Sequence, residues 1–382
     1  MSGDIAVVHY SEIGLKGLNR PFFEKKLVEN IKKSIGDYEV KRFSGRIIIK
    51  LGKRFDREKI AEKLKKIFGI SNFSFGFACE QDFDNIEKLV LSRIKGKKFR
   101  TFKIESRRAN KLFRLTSQEM NSRLGDIVRT ELKKKVDLEK PDLTIFVEIV
   151  DNKAFVYFEK FHGLGGLPVG VSGKVVCLIS SGIDSPLAAF RMMKRGLRVI
   201  FVHFHSFPST SRKSIEKTVR LVKLLNEYQF DSKLYLVPFI SIQKEIVNET
   251  LEEYRLILYR RMMVRVAEAI ASRENAKALV TGESVGQVAS QTLDNIFVID
   301  KAASMPILRP LVGHDKQEII SEAEKIDTYE ISIQPHEDCC TLFVPKHPET
   351  RGEIDKVEEL EEFFDKDNLI KEAVKNAEIK KF

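Results

Sequence analysis

Val175-Val-Cys-Leu-Ile179-Ser180-Ser181-Gly182-Ile183-Asp184-Ser185-Pro186 is the stretch on which the reading of the fold turns. An apolar run, a turn of small residues and then Leu187-Ala-Ala-Phe-Arg-Met-Met-Lys-Arg-Gly196 predict a buried strand, a tight loop and a helix. Pro186 suits the first helical turn, where its missing N–H is not needed, and Gly196 is a natural C-terminal stop. Small residues between strand and helix leave free backbone N–H groups at a helix N-terminus, which is an anion site. Three more apolar runs follow, RVIFVHFH (198–205), KLYLVPF (233–239) and KALVTGE (277–283), each ahead of a helical stretch. Apolar strands alternating with helices predict an α/β doubly wound domain, a parallel sheet covered on both faces.

Outward from this stretch, His162-Gly-Leu-Gly-Gly-Leu-Pro-Val-Gly170 punctuates the chain and marks the expected main boundary. Before it, β-like runs at 5–10, 46–51, 144–150 and 154–160 alternate with amphipathic stretches such as 22–35 and 60–68, an α+β pattern. At 382 residues the chain is too long for one core of about 150 residues. Hydrophobic residues make up 43% and charged residues 32%, a folded, soluble composition. No apolar run is long enough to span a membrane, and the N-terminus lacks a signal peptide's basic start and apolar core. No membrane association and a cytoplasmic location are expected.

The formal charge of +11 suits a polyanionic partner, a solubilising surface being an equal alternative on charge alone. Between Lys95 and Lys140 fifteen basic residues stand against six acidic ones, with Phe99, Phe102 and Phe113 interleaved. The phenylalanines read as core. The charges, among them Lys97, Lys98, Arg100, Arg107, Arg108, Lys111, Arg114, Lys133 and Lys134, read as an RNA backbone footprint, the alternative being a solvated face. Cys79, Cys177, Cys339 and Cys340 contain no C-x-x-C pair, which argues against a disulfide framework and a structural metal site. His203-Phe-His205 without a third ligand is likewise a poor metal site.

Neither a Walker A loop nor G-x-G-x-x-G is present, which disfavours a Walker-type kinase or a dehydrogenase. The loop at Ser180–Ser185 resembles instead the S-G-G-x-D-S signature of the pyrophosphatase-type (PP-loop) ATP-binding family, with Ser181 in place of the first glycine. Leu258-Tyr-Arg-Arg-Met-Met263, Thr281-Gly-Glu-Ser-Val-Gly-Gln-Val-Ala-Ser-Gln-Thr292, Gly313-His-Asp-Lys-Gln-Glu-Ile-Ile320 and Glu337-Asp-Cys-Cys-Thr-Leu-Phe343 further resemble the tRNA 4-thiouridine synthetase (ThiI) family. These motifs fall in family order across the second half, and the first half is similar to that family's ferredoxin-like and THUMP RNA-binding segments. The resemblance implies a ferredoxin-like domain over 1–58, a THUMP domain over 59–165 and a PP-loop domain over 171–382.

It also implies the roles. ATP would lie across the strand ends, with Leu178 and Ile179 bordering the adenosine and His203 and Phe204 flanking the adenine. For His203 a satisfied core histidine is an equal alternative. Ser180, Ser181, Gly182 and Ser185 would hold phosphates, and Asp184, a carboxylate beside a phosphate cradle, calls for Mg²⁺ as its companion. Arg260, rather than its neighbour Arg261, would reach the phosphates; the alternative is a pair of surface arginines. Gly282 would let backbone approach the nucleotide, Gln291 would bond a phosphate or the base, and Lys316 would stabilise charge on the activated intermediate. Replacing a uridine oxygen by sulfur needs a leaving group, supplied by AMP, and a sulfur nucleophile. Cys177 reads as core and Cys79 has no partner in view. Cys339, in a polar loop near His336 and His347, is the favoured persulfide carrier, with Cys340 second.

The expected activity is adenylation of uridine-8 of tRNA followed by sulfur transfer to give 4-thiouridine, with a further role as sulfur source for the thiazole of thiamine through a sulfur-carrier protein. Some family members carry a C-terminal rhodanese domain. This sequence runs instead into DNLIKEAVKNAEIKKF (367–382), read as a helical tail, so sulfur is expected from a cysteine desulfurase or other external donor. A tRNA reaching both halves is expected to bridge them, and a homodimer would allow it. The rivals are an amide-forming adenylating synthetase, which would bring an ammonia-delivering domain, and a non-catalytic RNA-binding protein, which would bind tRNA without making AMP. A THUMP-linked methyltransferase or deaminase lacks its glycine-rich strand or H-x-E…P-C-x-x-C signature.

Overall fold

The computed structural model describes residues 4–52, 54–335, 339 and 342–382. They form two compact units, Met1–Pro168 and Val169–Phe382, each organised around its own sheet. In the first unit β1 (Asp4–His9), β2 (Glu39–Phe43), β3 (Arg46–Lys50), β4 (Asn72–Glu80), β5 (Thr101–Arg108), β6 (Lys135–Val136), β7 (Leu143–Val150), β8 (Lys153–Tyr157) and β9 (Phe161–His162) share one mixed sheet. Its order is β2-β3-β1-β4-β8-β7-β5-β6, with β9 beside β4. The helices are α1 (Arg20–Ile35), α2 (Arg57–Lys65), α3 (Phe83–Ile94) and α4 (Ser117–Leu132).

The burial patterns follow from position in this sheet. β1 sits between β3 and β4, and its run Ile5–Val8 is buried on both faces, which is why it is continuously apolar. β5 alternates: Phe102, Ile104 and Ser106 face inward, while Thr101, Lys103, Glu105 and Arg107 face out. α4 begins with a reciprocal capping box between Thr116 and Glu119, which satisfies two helix-end donors.

In the second unit β10 (Lys174–Leu178), β11 (Arg198–His205), β12 (Lys233–Pro238), β13 (Leu279–Val280), β14 (Ile307–Leu308) and β15 (Glu378–Lys381) follow the order β14-β13-β10-β11-β12-β15. The helices are α5 (Asp184–Lys194), α6 (Lys213–Gln229), α7 (Ile240–Glu249), α8 (Arg255–Glu274), α9 (Leu293–Asp300), α10 (Lys316–Lys325), α11 (Tyr329–Ser332), α12 (Ile354–Glu361) and α13 (Lys366–Lys375). Strand alternation assigns the faces: Val176, Ile200 and Val202 pack with Met262 and Val266 of α8, while Cys177 lies against α5. α6 and α10 pack on α5, and α7, α9, α12 and α13 on α8.

The expected parallel sheet is present in β10 to β14 and is corrected at one edge. β15 pairs antiparallel with β12, placing Ile379 opposite Tyr235. The tail is therefore helical only in α13. After Asn376 the chain extends as an edge strand, where Lys380 and Lys381 protect an otherwise open row of backbone groups.

A buried ion pair joins α12 to α8. Arg261 and Glu361 are each 1% exposed and bond at 2.7 and 2.9 Å, while Arg265 adds bonds of 2.5 and 2.7 Å to the same carboxylate. Burial opposes the Glu361 charge, but hydrogen bonds from Arg261 and Arg265 outweigh it and hold the carboxyl at about 2. A depressed folded-state pKa adds stability above the unfolded value, and that stability is lost as pH falls through the folded one. Replacing Glu361 by Gln should remove about 3 kcal/mol at neutral pH and lower Tm by roughly 6–12 °C. The gap between variant and wild type should close as pH falls from about 4.5 towards 2.

Candidate functional site

The strand order reverses around β10: the chain passes from β10 to β11 on one side and returns to β13 on the other. In open α/β sheets a ligand crevice lies at such a switch point, beyond the carboxyl ends of the strands. Here the loop after β10 is Ser180–Ser185, and the loop after β13 opens with Thr281-Gly282-Glu283. Leu178, Ile179, Ser180, Asp184 and Ser185 line one wall of the crevice there, with His203 and Phe204 from the end of β11. Arg260, Gly282, Gln291 and Cys339 line it as well.

The loop is shaped by its own serines. Ser185 Oγ accepts from the Ser180 amide at 2.8 Å and lies 3.1 Å from Ser180 Oγ, which in turn accepts from the Gly182 amide at 3.3 Å. Ser332 Oγ donates to the Gly182 carbonyl at 3.1 Å. These bonds curl the chain so that α5 starts at Asp184 with no side-chain cap, leaving its first-turn amides for an anion.

Gly282, which lines the crevice, also has a packing reason to be glycine. A Cβ there would sit 2.6 Å from the Ser185 nitrogen and 2.8 Å from the Asp184 carbonyl carbon, so the close backbone is that of the phosphate loop itself. Neither Ser181 nor Gly182 is among the residues of the crevice wall. Ser181 is fully buried, with no hydrogen-bond partner for its Oγ. Ser181 does not take a positive φ, and a Cβ on Gly182 would meet only Ser180 Oγ at 3.4 Å. Serine at 181 therefore carries no backbone penalty.

Asp184 and Lys316 meet. Lys316, at the start of α10, donates to Asp184 Oδ1 at 2.7 Å, so it reaches the crevice through that carboxylate rather than lining it. The two adjacent arginines of α8 have separate fates: Arg260 lines the crevice, whereas Arg261 is spent on Glu361. His203 is hydrogen-bonded as a core histidine, its Nδ1 donating to the Ile179 carbonyl at 3.0 Å, and its residue also lines the crevice wall. Burial, then the neighbouring His203, pushes His205 down to about 4, so it is neutral at physiological pH. No cluster of three metal-ligating side chains occurs among the described residues.

Cys339 is corrected in its setting. It belongs to the apolar core cluster around α8 and is 4% exposed, while still lining the crevice. His336 and Cys340 lie outside the described residues, and His347 is exposed. Burial drives the Cys177 thiol up to about 12, and burial with Asp82 drives that of Cys79 up to about 11, so both are protonated at neutral pH. Residues that sequence reasoning missed are buried Glu283 and half-buried Arg309, crevice neighbours paired at 2.8 Å, with Arg309 also held by Asp300. The Glu of the T-G-E-S element was a visible signal for one of them; nothing in the sequence marked Arg309.

In the first unit β5 divides the basic set in two. Lys97, Lys98, Arg100 and Lys134 line one groove before the strand, with Lys134 over the Phe99 ring and exposed Lys133 next to it. Arg107, Arg108, Lys111 and Arg114 lie at its other end, roughly 23 Å away for an eight-residue strand. Arg108 is half-buried and donates to the carbonyls of Lys111 and Phe113, which shapes its own loop. Phe99 and Phe102 are core, as expected, and Phe113 packs against them.

Three family models match in the expected order: the ThiI ferredoxin-like domain over residues 5–74, the THUMP domain over 80–159, and "Thiamine biosynthesis protein (ThiI)" over 170–366. A protein of Thermoanaerobacter pseudethanolicus named "Probable tRNA sulfurtransferase" is 46% identical over 363 residues, 94% of this chain and 95% of its own. One of the same name from Bacillus licheniformis is 41% identical over 99% of this chain and 96% of its own. The crystal structure of a 4-thiouridine synthetase–RNA complex with bound ATP matches with TM-score 0.90 at 39% identity, covering 99% of both chains. A Pyrococcus horikoshii crystal structure matches with TM-score 0.66 at 27% identity, over 85% of this chain and 99% of its own. The chain belongs to the ThiI family, the family of the tRNA sulfurtransferases.

Proposed function

We propose that this crevice binds ATP, that O4 of uridine-8 of tRNA is adenylated there, and that sulfur carried on Cys339 replaces that oxygen to give 4-thiouridine. The observation that carries the reading is convergence: the Ser180–Ser185 loop, Arg260, Gly282, Gln291 and Cys339, far apart in sequence, line one crevice. The ATP named for the related synthetase–RNA complex supports it.

In this reading the phosphates face the first turn of α5 and the planar fork of Arg260. Uridine O4 bonds to the α-phosphorus and pyrophosphate leaves. The terminal sulfur of a Cys339 persulfide then bonds to C4, and AMP departs with the electron pair of the C4–O bond. A thiol co-reactant attacks Cys339 Sγ, releases thiouridine and ends as a disulfide with that cysteine. Lys316 stabilises the charge that develops on the phosphate. Asp184 fits Mg²⁺ as a single carboxylate at the crevice; without a protein cage among the described residues, ATP oxygens would supply other ligands. A cysteine desulfurase or sulfide supplies sulfur, and the family description supports a second role as donor to a sulfur-carrier protein in making the thiazole of thiamine. Unit one, divided as 1–58 and 59–165, would bind tRNA, and a homodimer could bring tRNA to a second chain's crevice.

Incubation with unmodified tRNA, Mg-ATP and sulfide should yield AMP and 4-thiouridine; absence of both sinks the reading. Asp184→Ala should abolish AMP formation. Cys339→Ser should keep AMP formation and lose desulfurase-driven thiolation, and if Cys340→Ser does so instead, the carrier is the neighbouring cysteine. Gly282→Ala forces two backbones apart, so calorimetry should show weakened ATP binding and thermal unfolding a loss of about 1–3 kcal/mol. Replacing Lys97, Arg100 and Lys134 by Ala should weaken tRNA binding and flatten the log–log salt slope by about 2–3.

A further inference from the structure

Cys339 is held through its backbone by a side chain that does not line the crevice. Gln243 of α7 is fully buried, and its Nε2 donates to the Cys339 carbonyl at 2.8 Å. Its Oε1 accepts from the hydroxyl of Ser206, also fully buried, in the segment after β11. Ser332 and Gln334 are tied as well. Lys217 of α6, 4% exposed, donates to the carbonyls of Ser332 and Gln334 at 2.9 and 2.5 Å, and Arg220 donates to Gln334 Oε1 at 2.8 Å. Ser332 in turn donates to Gly182 of the phosphate loop at 3.1 Å. Hydrogen bonds thus fix Ser332 and Gln334 to α6 and Ser332 to the loop, and Gln243 fixes Cys339 itself to α7.

A buried amide is desolvated at a cost that its hydrogen bonds roughly offset, so an apolar residue of equal volume would fill the same space about as well. What the apolar residue cannot do is hold a carbonyl in one place. We infer that Gln243, anchored by Ser206, is a positioning residue for sulfur transfer: it sets the reach of Cys339 from the crevice and leaves adenylation alone. The inference rests on Cys339 as the sulfur carrier. A thiol in a group transfer must be placed closely, since a misplacement of about 1 Å costs around 10²-fold.

The experiment compares Gln243→Met with wild type in three readouts on the same preparation: AMP formation; thiolation driven by a cysteine desulfurase, cysteine and a thiol reductant; and thiolation driven by excess sulfide. Sulfide adds to the adenylated C4 directly and expels AMP, so it bypasses Cys339. The variant should lose about tenfold or more in the desulfurase-driven rate while AMP formation and sulfide-driven thiolation stay within about twofold. Ser206→Ala should show the same split, smaller. An unchanged desulfurase-driven rate, or an equal fall in all three readouts, overturns the inference. If the methionine variant does not fold, Gln243→Asn keeps the polar group and shortens its reach, and the same split is required of it. Cys339→Ser run alongside separates the layers: if it retains desulfurase-driven thiolation, the carrier assignment fails and not the positioning argument alone.

Discussion

Gly282 crosses the Asp184–Ser185 backbone so closely that a single added carbon would stand 2.6 Å from an amide nitrogen. That approach joins the two loops flanking the strand-order reversal, and the rest of the second unit is arranged to permit it. On one side the mutual hydrogen bonds of Ser180 and Ser185 curl the phosphate loop. On the other, Thr281 donates to Glu283, which pairs with Arg309, so the second loop is fixed by buried charge. With both loops rigid and touching, Asp184 is presented at the crevice, where Lys316 meets it. A preformed cradle costs no reorganisation when charge develops in it, which is the usual source of electrostatic catalysis.

Arg260 and Arg261 illustrate how one bond of sequence separates function from stability. Neighbours on an α-helix point about 100° apart, so on a helix buried along most of its length one can enter a crevice while the next enters the core. In the core an unpaired guanidinium would be costly, and Glu361 answers it at two nitrogens. α12 is thereby held on α8 by charge as well as by Val357 and Leu360. The chain after the crevice residues thus stabilises the helix that carries Arg260.

The first unit shows the same division of labour on a strand. β5 turns Phe102 and Ile104 into the core and presents Lys103 and Arg107 outward, and its length separates the basic residues before it from those after it. What reads along the chain as one continuous basic stretch is, in space, a groove at Lys97–Arg100 and a loop at Arg107–Arg114 that Arg108 partly uses to hold itself.

Local chemistry determined much of this protein from sequence alone. Apolar runs and helix signals made β10 to β13 and α5 legible and the interleaved phenylalanines legible as core, because each is a short-range pattern, while most of the crevice lining was legible through the resemblance of the spaced motifs to a known family. Tertiary structure alone decided the rest. Whether Ser181 faces ligand or core, whether Cys339 is exposed, which arginine lines the crevice, that residues 378–381 leave a helical tail for the edge of a sheet, and that Gly282 serves backbone-to-backbone packing all depend on what lies across the contact. Partners a hundred residues away, such as Glu361 for Arg261 or Gln243 for Cys339, leave no periodic trace in the chain, because the bond forms only once the sheet has brought them together.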